Sequence, residues 1–286
     1  MDVLWSALFA VLLIGYFALE GANIGLGMLL PVLGRTRHGR DRLVAAMAPF
    51  VLAGEVWLVA VAGVLFGVYP RAEGEVLFAL YPLVVGLLVS WILRDAGLWF
   101  RRRLDGPAWR AGWDRIICLG SWGLALTWGA ALTALAGGLA LTPSAVLGAA
   151  ALAALLAFHG RAFAAWLLPG GAAAPGTGPA GVPSTGAGVH PPGRAAGTAA
   201  GGTETGRGAG GRGAALVVSA CTAAAPAAVL LAGAAPWLLE HTAPADTLNV
   251  LSLMILPFAP VMVGAQVWTW RTFGPRRATG RSPSFF

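Results

Sequence analysis

The stretch VLWSALFAVLLIGYFALEGANIGLGMLLPVL, residues 3–33, is apolar apart from a few polar residues and one glutamate, and it decides the fold class. A helix needs about 20 apolar residues to cross the hydrocarbon layer of a bilayer, so this stretch is long enough to cross it. The apolar core of a signal peptide is shorter, at about 7–15 residues. We therefore expect the stretch to stay in the chain as its first membrane span.

Six further stretches of the 286-residue chain have a similar character. The composition agrees, because 57% of the residues are hydrophobic, 11% are charged and the mean hydropathy is +0.74. Soluble domains carry about 25% charged residues, which argues against a soluble enzyme or a nucleic-acid-binding module. The sequence predicts an all-α, polytopic transmembrane helical bundle. Its seven spans are expected at about 3–33, 43–69, 76–99, 115–141, 144–168, 214–239 and 247–271.

The arginines between the spans predict the orientation of the bundle. All 19 basic residues are arginine, and the formal net charge is +7. Arginines cluster after spans one, three, five and seven, whereas the alternate loops carry few of them. Because cytoplasmic loops are enriched in basic residues, the amino terminus is expected outside and the carboxyl terminus in the cytoplasm. The basic balance thus indicates membrane topology and not binding to nucleic acid.

A change of composition divides the chain. Residues 169–213 are mainly Gly, Ala, Pro and Thr, with almost no large side chain. Such a segment buries too little apolar area to offset the entropy of ordering, so it is predicted to be a disordered cytoplasmic linker. The linker separates a five-span membrane block, 1–168, from a two-span block, 214–274. Residues 275–286 are expected to form a basic cytoplasmic tail.

Ionisable groups inside the spans are the candidate functional residues, because they are costly in hydrocarbon. Glu20 and Asn23 are three residues apart in the first span, so they share one helix face. They lie beside Gly21 and Gly25, a G-x-x-x-G pair that permits close helix packing. Glu55 lies in the second span, where no basic residue of that span neutralises it. A buried carboxyl of this kind either joins an interhelical hydrogen-bond network or carries protons, and both alternatives stay open.

Four other residues in the spans have simpler interpretations. Arg94 and Asp95 are adjacent near the end of the third span, where neighbours do not face each other, so both are expected to extend to the cytoplasmic interface. Trp57 is expected to pack in the core or to anchor its helix at the interface. His159, in the fifth span, is expected to be a hydrogen-bonded structural histidine in preference to a metal ligand.

The chain offers few ligands for a cofactor of its own. Haem iron takes an axial His, Met or Cys, and of four histidines only His159 lies in a predicted span. The methionines are ordinary packing residues. Cys118 and Cys221 are far apart in apolar stretches, which argues against a disulfide framework or a thiol metal site. We therefore expect no metal and no haem to be bound by this chain alone.

Two longer motifs resemble a known family. Residues 16–34, YFALEGANIGLGMLLPVLG, are similar to the first-helix signature of subunit II of cytochrome bd-type quinol oxidases, F-x-x-x-D/E-G-F-D-x-G-V-G-M-L. Residues 46–70, AMAPFVLAGEVWLVAVAGVLFGVYP, resemble its second signature, P-x-W-D-G-N-E/Q-V-W-L. The resemblance covers nearly the whole chain apart from the linker. Further matches follow in the family's order at Arg94, Trp109, Trp113-Asp114, Gly120-Ser121, His159-Gly160 and 247–274.

The resemblance implies a non-haem subunit of a quinol:oxygen oxidoreductase of the respiratory chain, a multi-pass protein of the bacterial cell membrane. In that family subunit I holds the haems and the quinol site, while subunit II packs against it and contributes polar residues to a proton path. The implied partners are the haem-bearing subunit I, membrane lipids and, through the complex, quinol. The haems belong to the partner, and a bound quinone or lipid is a further expectation. No catalytic residue is implied in this chain, whose proton-relay or interface candidates are Glu20, Asn23, Glu55, Arg94 and His159.

Several positions depart from the family pattern. Asn23 and Leu52 stand where the signatures have acids, and Trp99 replaces an acid that usually precedes the aromatic–Arg pair. The family normally has nine spans, so the chain resembles a shortened and divergent member. Two other functions remain as alternatives. One is a structural or assembly protein without a catalytic part, and the other is a small helical transporter, which would need helices broken around a site at the membrane midplane.

Overall fold

The computed structural model describes residues 1–139, 142–169 and 204–275, with side chains from residue 210 onward in the last range. The described residues are helical and contain no strand, so the predicted all-α fold is confirmed. Within the described ranges, seven helical segments are long and apolar enough to span a membrane, which is the predicted number. The orientation of the termini stays a prediction.

The helices follow the predicted spans. Helices α1, α3, α5, α6, α7 and α8 provide one span each, and α9 with α10 provides the seventh across a short 3-10 turn, Leu256–Phe258. In chain order the elements are α1 (Asp2–Met28), α2 (Leu30–Leu33), α3 (Arg37–Val68), α4 (Pro70–Ala79), α5 (Tyr81–Phe100), α6 (Pro107–Ala136), α7 (Ser144–Leu167), α8 (Glu204–Glu240), α9 (Ala245–Ile255) and α10 (Ala259–Phe273).

Prolines interrupt three of the predicted spans. Proline has no backbone N–H and its ring crowds the preceding turn, so a helix often ends before it. The stretch 3–33 divides at Leu29, just before Pro31. The third span begins at Tyr81 and not at residue 76, because α4 is a separate helix that ends before Pro82. Pro257 interrupts the last span in the same way.

The predicted linker ends earlier in the structure than at residue 213, because α8 already begins at Glu204. Once a helix exists, each added residue gains a backbone hydrogen bond, so the apolar part of α8 can extend the helix into this Gly-rich segment. The remainder of the predicted linker from residue 170, and the predicted tail from residue 276, lie outside the described residues.

Helix α1 lies at the centre of the bundle, packed against α3, α6, α7 and α8. Helix α5 packs mainly on α6, and α10 packs on α3. The two predicted membrane blocks therefore form one bundle. Trp5 Nε1 donates to Ser252 Oγ over 3.2 Å, and the Ala243 N–H donates to the Val68 carbonyl over 2.8 Å, which ties the blocks together. The central position of α1 buries every residue of its last two turns, from Glu20 onward.

Candidate functional site

The carboxyl-terminal half of α1 approaches α7 closely because its facing residues are small. A β-carbon at Gly25 would overlap the Leu156 carbonyl oxygen of α7, and one at Gly21 would meet the Leu156 side chain. This is the close packing that a G-x-x-x-G pair permits. Glu20 and Asn23, on the same segment of α1, are buried as a result.

A single arginine joins three acidic side chains inside the bundle. We call Arg94, Glu20, Glu55 and Asp95 the Arg94 cluster. The Arg94 Nη1 donates to Glu20 Oε1, and Nη2 donates to Glu55 Oε1 over 2.7 Å. The Arg94 Nε donates to Asp95 Oδ1 over 3.0 Å, and Asn23 Nδ2 donates to Glu20 Oε2 over 2.8 Å. The cluster therefore connects α1, α3 and α5.

The position of Arg94 corrects the expectation that Arg94 and Asp95 both extend to the interface without contact. Arg94 is only 1% exposed, and its guanidinium bonds the Asp95 carboxylate of the next residue. The long arginine side chain has five donors, so it can reach three acids at once, and their charges compensate its burial. Glu55, which its own span leaves unpaired, is thus paired from a different span.

The Arg94 cluster contains more acidic than basic groups. Three carboxyls face one guanidinium, so full ionisation would leave a net charge of 1 − 3 = −2. Uncompensated charge is costly among apolar helices. The excess of acids in the cluster is therefore stabilised when the acids bind protons or accept hydrogen bonds from further donors. Glu20 is enclosed, whereas the side chains of Glu55 and Asp95 are 18% and 24% exposed. The cluster thus has a closed end in the bundle and an open end near its surface.

A small pocket lies at the open end of the cluster, beside Glu55 and Asp95. It has room for about one water molecule. Leu52 and Trp99 line this pocket and are exposed. At the closed end Gly54 leaves space for Glu20, since a β-carbon there would overlap Glu20 Oε2. The three acids are therefore gathered on Arg94, and the apolar side chains of Leu52 and Trp99 lie around the pocket.

His159 lies outside the Arg94 cluster and connects three helices. Its Nδ1 lies 2.8 Å from Ser219 Oγ of α8, and its Nε2 lies 3.0 Å from the Ala18 carbonyl oxygen of α1. A carbonyl only accepts, so Nε2 carries a proton and donates to it. Both ring nitrogens are engaged, which leaves neither free as an axial ligand. Among the described residues no group of three or more His, Cys, Asp or Glu is arranged to hold a metal ion.

Trp57 packs inside the bundle. Its ring lies against Gly15 of α1, where a β-carbon would overlap it. Its Nε1 donates to Gln266 Oε1 of α10 over 3.3 Å. Of the two interpretations open from the sequence, core packing describes this position, and the residue ties α3 to both α1 and α10.

A second ionic network, at the ends of α3, α5 and α6, is not evident from the sequence. Asp114 accepts from Arg40 Nε over 2.7 Å and from Arg101 Nε over 2.6 Å. Arg101 Nη1 also donates to Asp41 Oδ1 over 2.6 Å. Burial opposes the charge of Arg101, but its bonds to the two aspartates outweigh this and raise its pKa. In the sequence these arginines are only loop charges, because the acids that bind them lie on other helices, 13 to 74 residues away along the chain.

Comparison with models of known protein families identifies the family of the chain. The model described as cytochrome bd terminal oxidase subunit II matches residues 1–174, which is more than half of the sequence. The chain belongs to this family. The resemblance expected from residues 16–34 and 46–70 is thereby confirmed, and the matched region contains the whole Arg94 cluster and His159.

Curated relatives agree with this assignment. The chain is 32% identical to the probable cytochrome oxidase subunit 2 of Haemophilus influenzae over 128 residues, 45% of this chain and 34% of that protein. It is 36% identical to cytochrome bd ubiquinol oxidase subunit 2 of Bacillus subtilis over 118 residues, 41% of this chain and 35% of that protein. It is 32% identical to cytochrome bd-I ubiquinol oxidase subunit 2 of Escherichia coli, over 41% of this chain and 31% of that protein. The matches thus span about a third of the relatives' length.

Proposed function

We propose that this chain is the non-haem subunit of a bd-type quinol:oxygen oxidoreductase in a bacterial cell membrane. It packs against a haem-bearing subunit, and its Arg94 cluster supplies protons to the complex. Family membership supports the oxidase assignment, and the relatives in Bacillus subtilis and Escherichia coli are named as ubiquinol oxidase subunits. The observation that carries the proton role is the excess of acids gathered on Arg94 within the spans.

The geometry offers a short route for a proton. Glu20 and Glu55 accept hydrogen bonds from the two Nη atoms of the same guanidinium, so the two carboxyls lie on either side of it. Asn23 cannot carry a proton by ionising, and it serves to fix the Glu20 carboxyl through Oε2. The pocket beside Glu55 and Asp95 can hold a water molecule that takes the proton onward. The route thus leads from the centre of the bundle to the outer face of α3 and α5.

The electron chemistry belongs to the partner. When bound there, haem supplies the electron transfer to oxygen, while His159 of this chain is committed to Ser219 and Ala18. The residues of this chain hold and move protons and contact no reacting atom. It is therefore part of an enzyme without a catalytic residue of its own.

A large apolar cavity supports the binding of a lipid or quinone. It measures about 540 Å³, is open on one side and lies among α1, α3, α4, α5, α6 and α8. Its walls are mostly leucine, valine and alanine, with Trp128 and Glu75 among the few residues that carry polar groups. Apolar cavities of this kind disfavour water and suit a hydrocarbon chain.

Glutamine substitutions in the complete complex test the proton role. Glu20→Gln and Glu55→Gln remove an exchangeable proton and keep the shape of the side chain. A positioned acid or base contributes about 10²–10⁴-fold to a rate, so we expect each variant to lose at least about 10²-fold of quinol-driven oxygen uptake per haem. Glu240→Gln, at an exposed acid at the end of α8, is the matched control and should retain full activity. Full turnover in both cluster variants would remove the proton role and leave the subunit assignment intact.

A structural role is the second candidate, and the pairing of all three acids with Arg94 favours it. In that case the cluster only clamps α1, α3 and α5 together, and the partner carries all protons. The same two glutamine variants separate the candidates. A clamp predicts a lower yield or melting temperature of the complex with unchanged turnover per haem.

A further inference from the structure

One end of the bundle is strongly basic. Helix α3 begins there, α5 ends there and α6 begins there, and we call residues 35–42 and 101–115 the basic end. These residues include nine arginines and three aspartates, so with His38 neutral their net charge is +6. The whole chain has a net charge of +7, so most of it lies here. An excess of this size attracts anions.

The aspartates of the basic end do not neutralise all of its arginines. All three pair with arginines that are buried or partly buried, namely Arg40, Arg101 and Arg110. Arg37 and Arg103, by contrast, are exposed, and no acid among the described residues pairs with either of them. A guanidinium has five donors, so both side chains can bind a further anion.

The second ionic network fixes where Arg37 and Arg103 lie. Arg101 is fully buried, and its Nη1 donates to Asp41 Oδ1 over 2.6 Å, which joins the end of α5 to the first turns of α3. Arg37 is four residues before Asp41, on the same face of α3, and Arg103 is two residues after Arg101. Both exposed arginines therefore lie just beyond this ion pair, towards the end of the bundle.

The turn that carries Arg103 is held by further contacts. Trp109 Nε1 donates to the Phe100 carbonyl over 2.9 Å, and the Arg103 N–H donates to the same carbonyl over 3.0 Å. The Phe100 ring stacks on Trp113 with 5.5 Å between the ring centroids. A site whose residues are already ordered loses less entropy when it binds a ligand, so this turn is prepared for binding.

Apolar side chains adjoin the exposed arginines. Phe100 and Leu104, on either side of Arg103 in the turn, are 46% and 57% exposed. The Arg103 guanidinium lies 6.0 Å from the Phe100 ring centroid. A free anion would leave these apolar side chains uncovered, and a lipid without net charge would leave the excess of arginines uncompensated. The ligand that fits both features has an anionic group joined to a hydrocarbon chain.

We propose that the basic end binds the phosphodiester headgroup of an anionic phospholipid. Arg37 and Arg103 hold the phosphate oxygens, because a planar guanidinium matches the geometry of a phosphate. The acyl chain runs from there into the bilayer along Phe100. Basic groups at the ends of membrane spans attract anionic lipids in this way. The site lies outside the Arg94 cluster, so the inference goes beyond the proposed function and does not depend on it.

Lipid binding to the full chain in its complex tests the proposal. The complex is stripped of lipid in mild detergent, titrated with phosphatidylglycerol or phosphatidylcholine and analysed by native mass spectrometry. The contribution of two basic residues near an anionic lipid corresponds to about thirtyfold in affinity, so the double variant Arg37→Gln, Arg103→Gln should bind phosphatidylglycerol about thirtyfold more weakly. Its binding of phosphatidylcholine should stay unchanged. Arg71→Gln, at an exposed arginine of α4 beyond the other end of α3, is the control and should bind both lipids like the parent.

The outcomes are distinct. If the parent binds the two lipids equally, or if the double variant binds phosphatidylglycerol like the parent, the inference is overturned and the arginines serve membrane topology alone. If inorganic phosphate competes as well as phosphatidylglycerol does, the assignment to a lipid is overturned. Melting curves in lipid-free detergent should be equal for parent and variant, because exposed side chains contribute little to stability.

A photoactivatable lipid locates the site in the unmodified chain. A phosphatidylglycerol analogue with a diazirine at the start of one acyl chain should label the peptide that contains Phe100 and Leu104 at least about tenfold more than the matching phosphatidylcholine analogue does. Equal labelling of this peptide by the two analogues would overturn the inference. Neither measurement uses haem or oxygen uptake, so a failure of this inference is distinguishable from a failure of the proposed function.

Discussion

Removal of the Arg94 guanidinium is the most informative single change to the fold. Arg94→Gln leaves the buried Glu20 and the partly exposed Glu55 and Asp95 without the donor that joins them. Breaking a buried ion pair by removing one partner costs about 3–5 kcal/mol. The three pairs share one guanidinium and the acids can take up protons, so we expect one such cost and not three. At about 2–4 °C per kcal/mol for a chain of this size, the melting temperature should fall by about 10 °C.

Thermal unfolding in detergent measures this loss. Heating of membrane proteins is often irreversible, so the variants are compared at one heating rate by the fraction that stays monodisperse. Arg103→Gln is the matched control, because Arg103 is exposed and its guanidinium lies 6.0 Å from the Phe100 ring centroid. A surface change of this kind is worth about 0.5 kcal/mol or less.

A rescue experiment separates charge from side-chain packing. The triple variant Glu20→Gln, Glu55→Gln, Arg94→Gln removes most of the unpaired charge together with the arginine, so it should recover a large part of the lost stability. If Arg94→Gln and the Arg103→Gln control have the same melting temperature, the conclusion that the Arg94 cluster holds α5 to α1 and α3 is refuted.

Three further predictions concern the packing of α1 on α7, the ion pairs of Asp114 and the pH dependence of stability. Gly25→Leu should prevent a monodisperse bundle in size-exclusion chromatography, because its side chain overlaps the α7 backbone, whereas Gly63→Leu, with nothing within 4 Å of a β-carbon, should elute like the parent. Asp114→Asn removes the acid between two arginines and should lower the melting temperature by several degrees. Asp105→Asn is the control, because the Asp105 side chain is 95% exposed, and it should leave the melting temperature unchanged. Equal melting curves of the two variants would contradict a stabilising role of the second network. Burial raises the pKa of Tyr69, so the folded chain holds that proton more tightly than the unfolded chain, and stability should fall as pH rises above 10. Melting curves across this range should be flatter for Tyr69→Phe, and an unchanged slope would show that another group is responsible.

The number and order of spans could be predicted because hydrophobic length alone decides them. The breaks inside the spans could not, because proline acts differently from one position to the next. Pro49 stays inside α3 and Pro226 inside α8, whereas Pro257 interrupts the last span. Whether neighbouring helices can accommodate the lost hydrogen bond decides the outcome, and that depends on packing.

In the candidate site, too, some contacts could be predicted from the sequence and others could not. The contact of Glu20 with Asn23 follows from their spacing on one helix, and it could be predicted. The pairing of Glu55 with Arg94 could not, because it depends on which helices become neighbours. The same reason hid the bonds of Asp114 to its arginines. Contacts within a helix follow from the spacing of residues along the sequence, whereas contacts between helices depend on how the helices pack.

We propose that this chain supplies protons to a haem-bearing subunit of the same complex. The most direct test is a reduced-minus-oxidised difference spectrum of the complex purified in mild detergent through a tag on this chain, together with its quinol-driven oxygen uptake. We expect haem bands from a co-purified second chain, and oxygen uptake that Glu55→Gln abolishes while the bands stay. A chain that purifies alone, shows no haem bands and carries a solute across vesicle membranes by itself would contradict it.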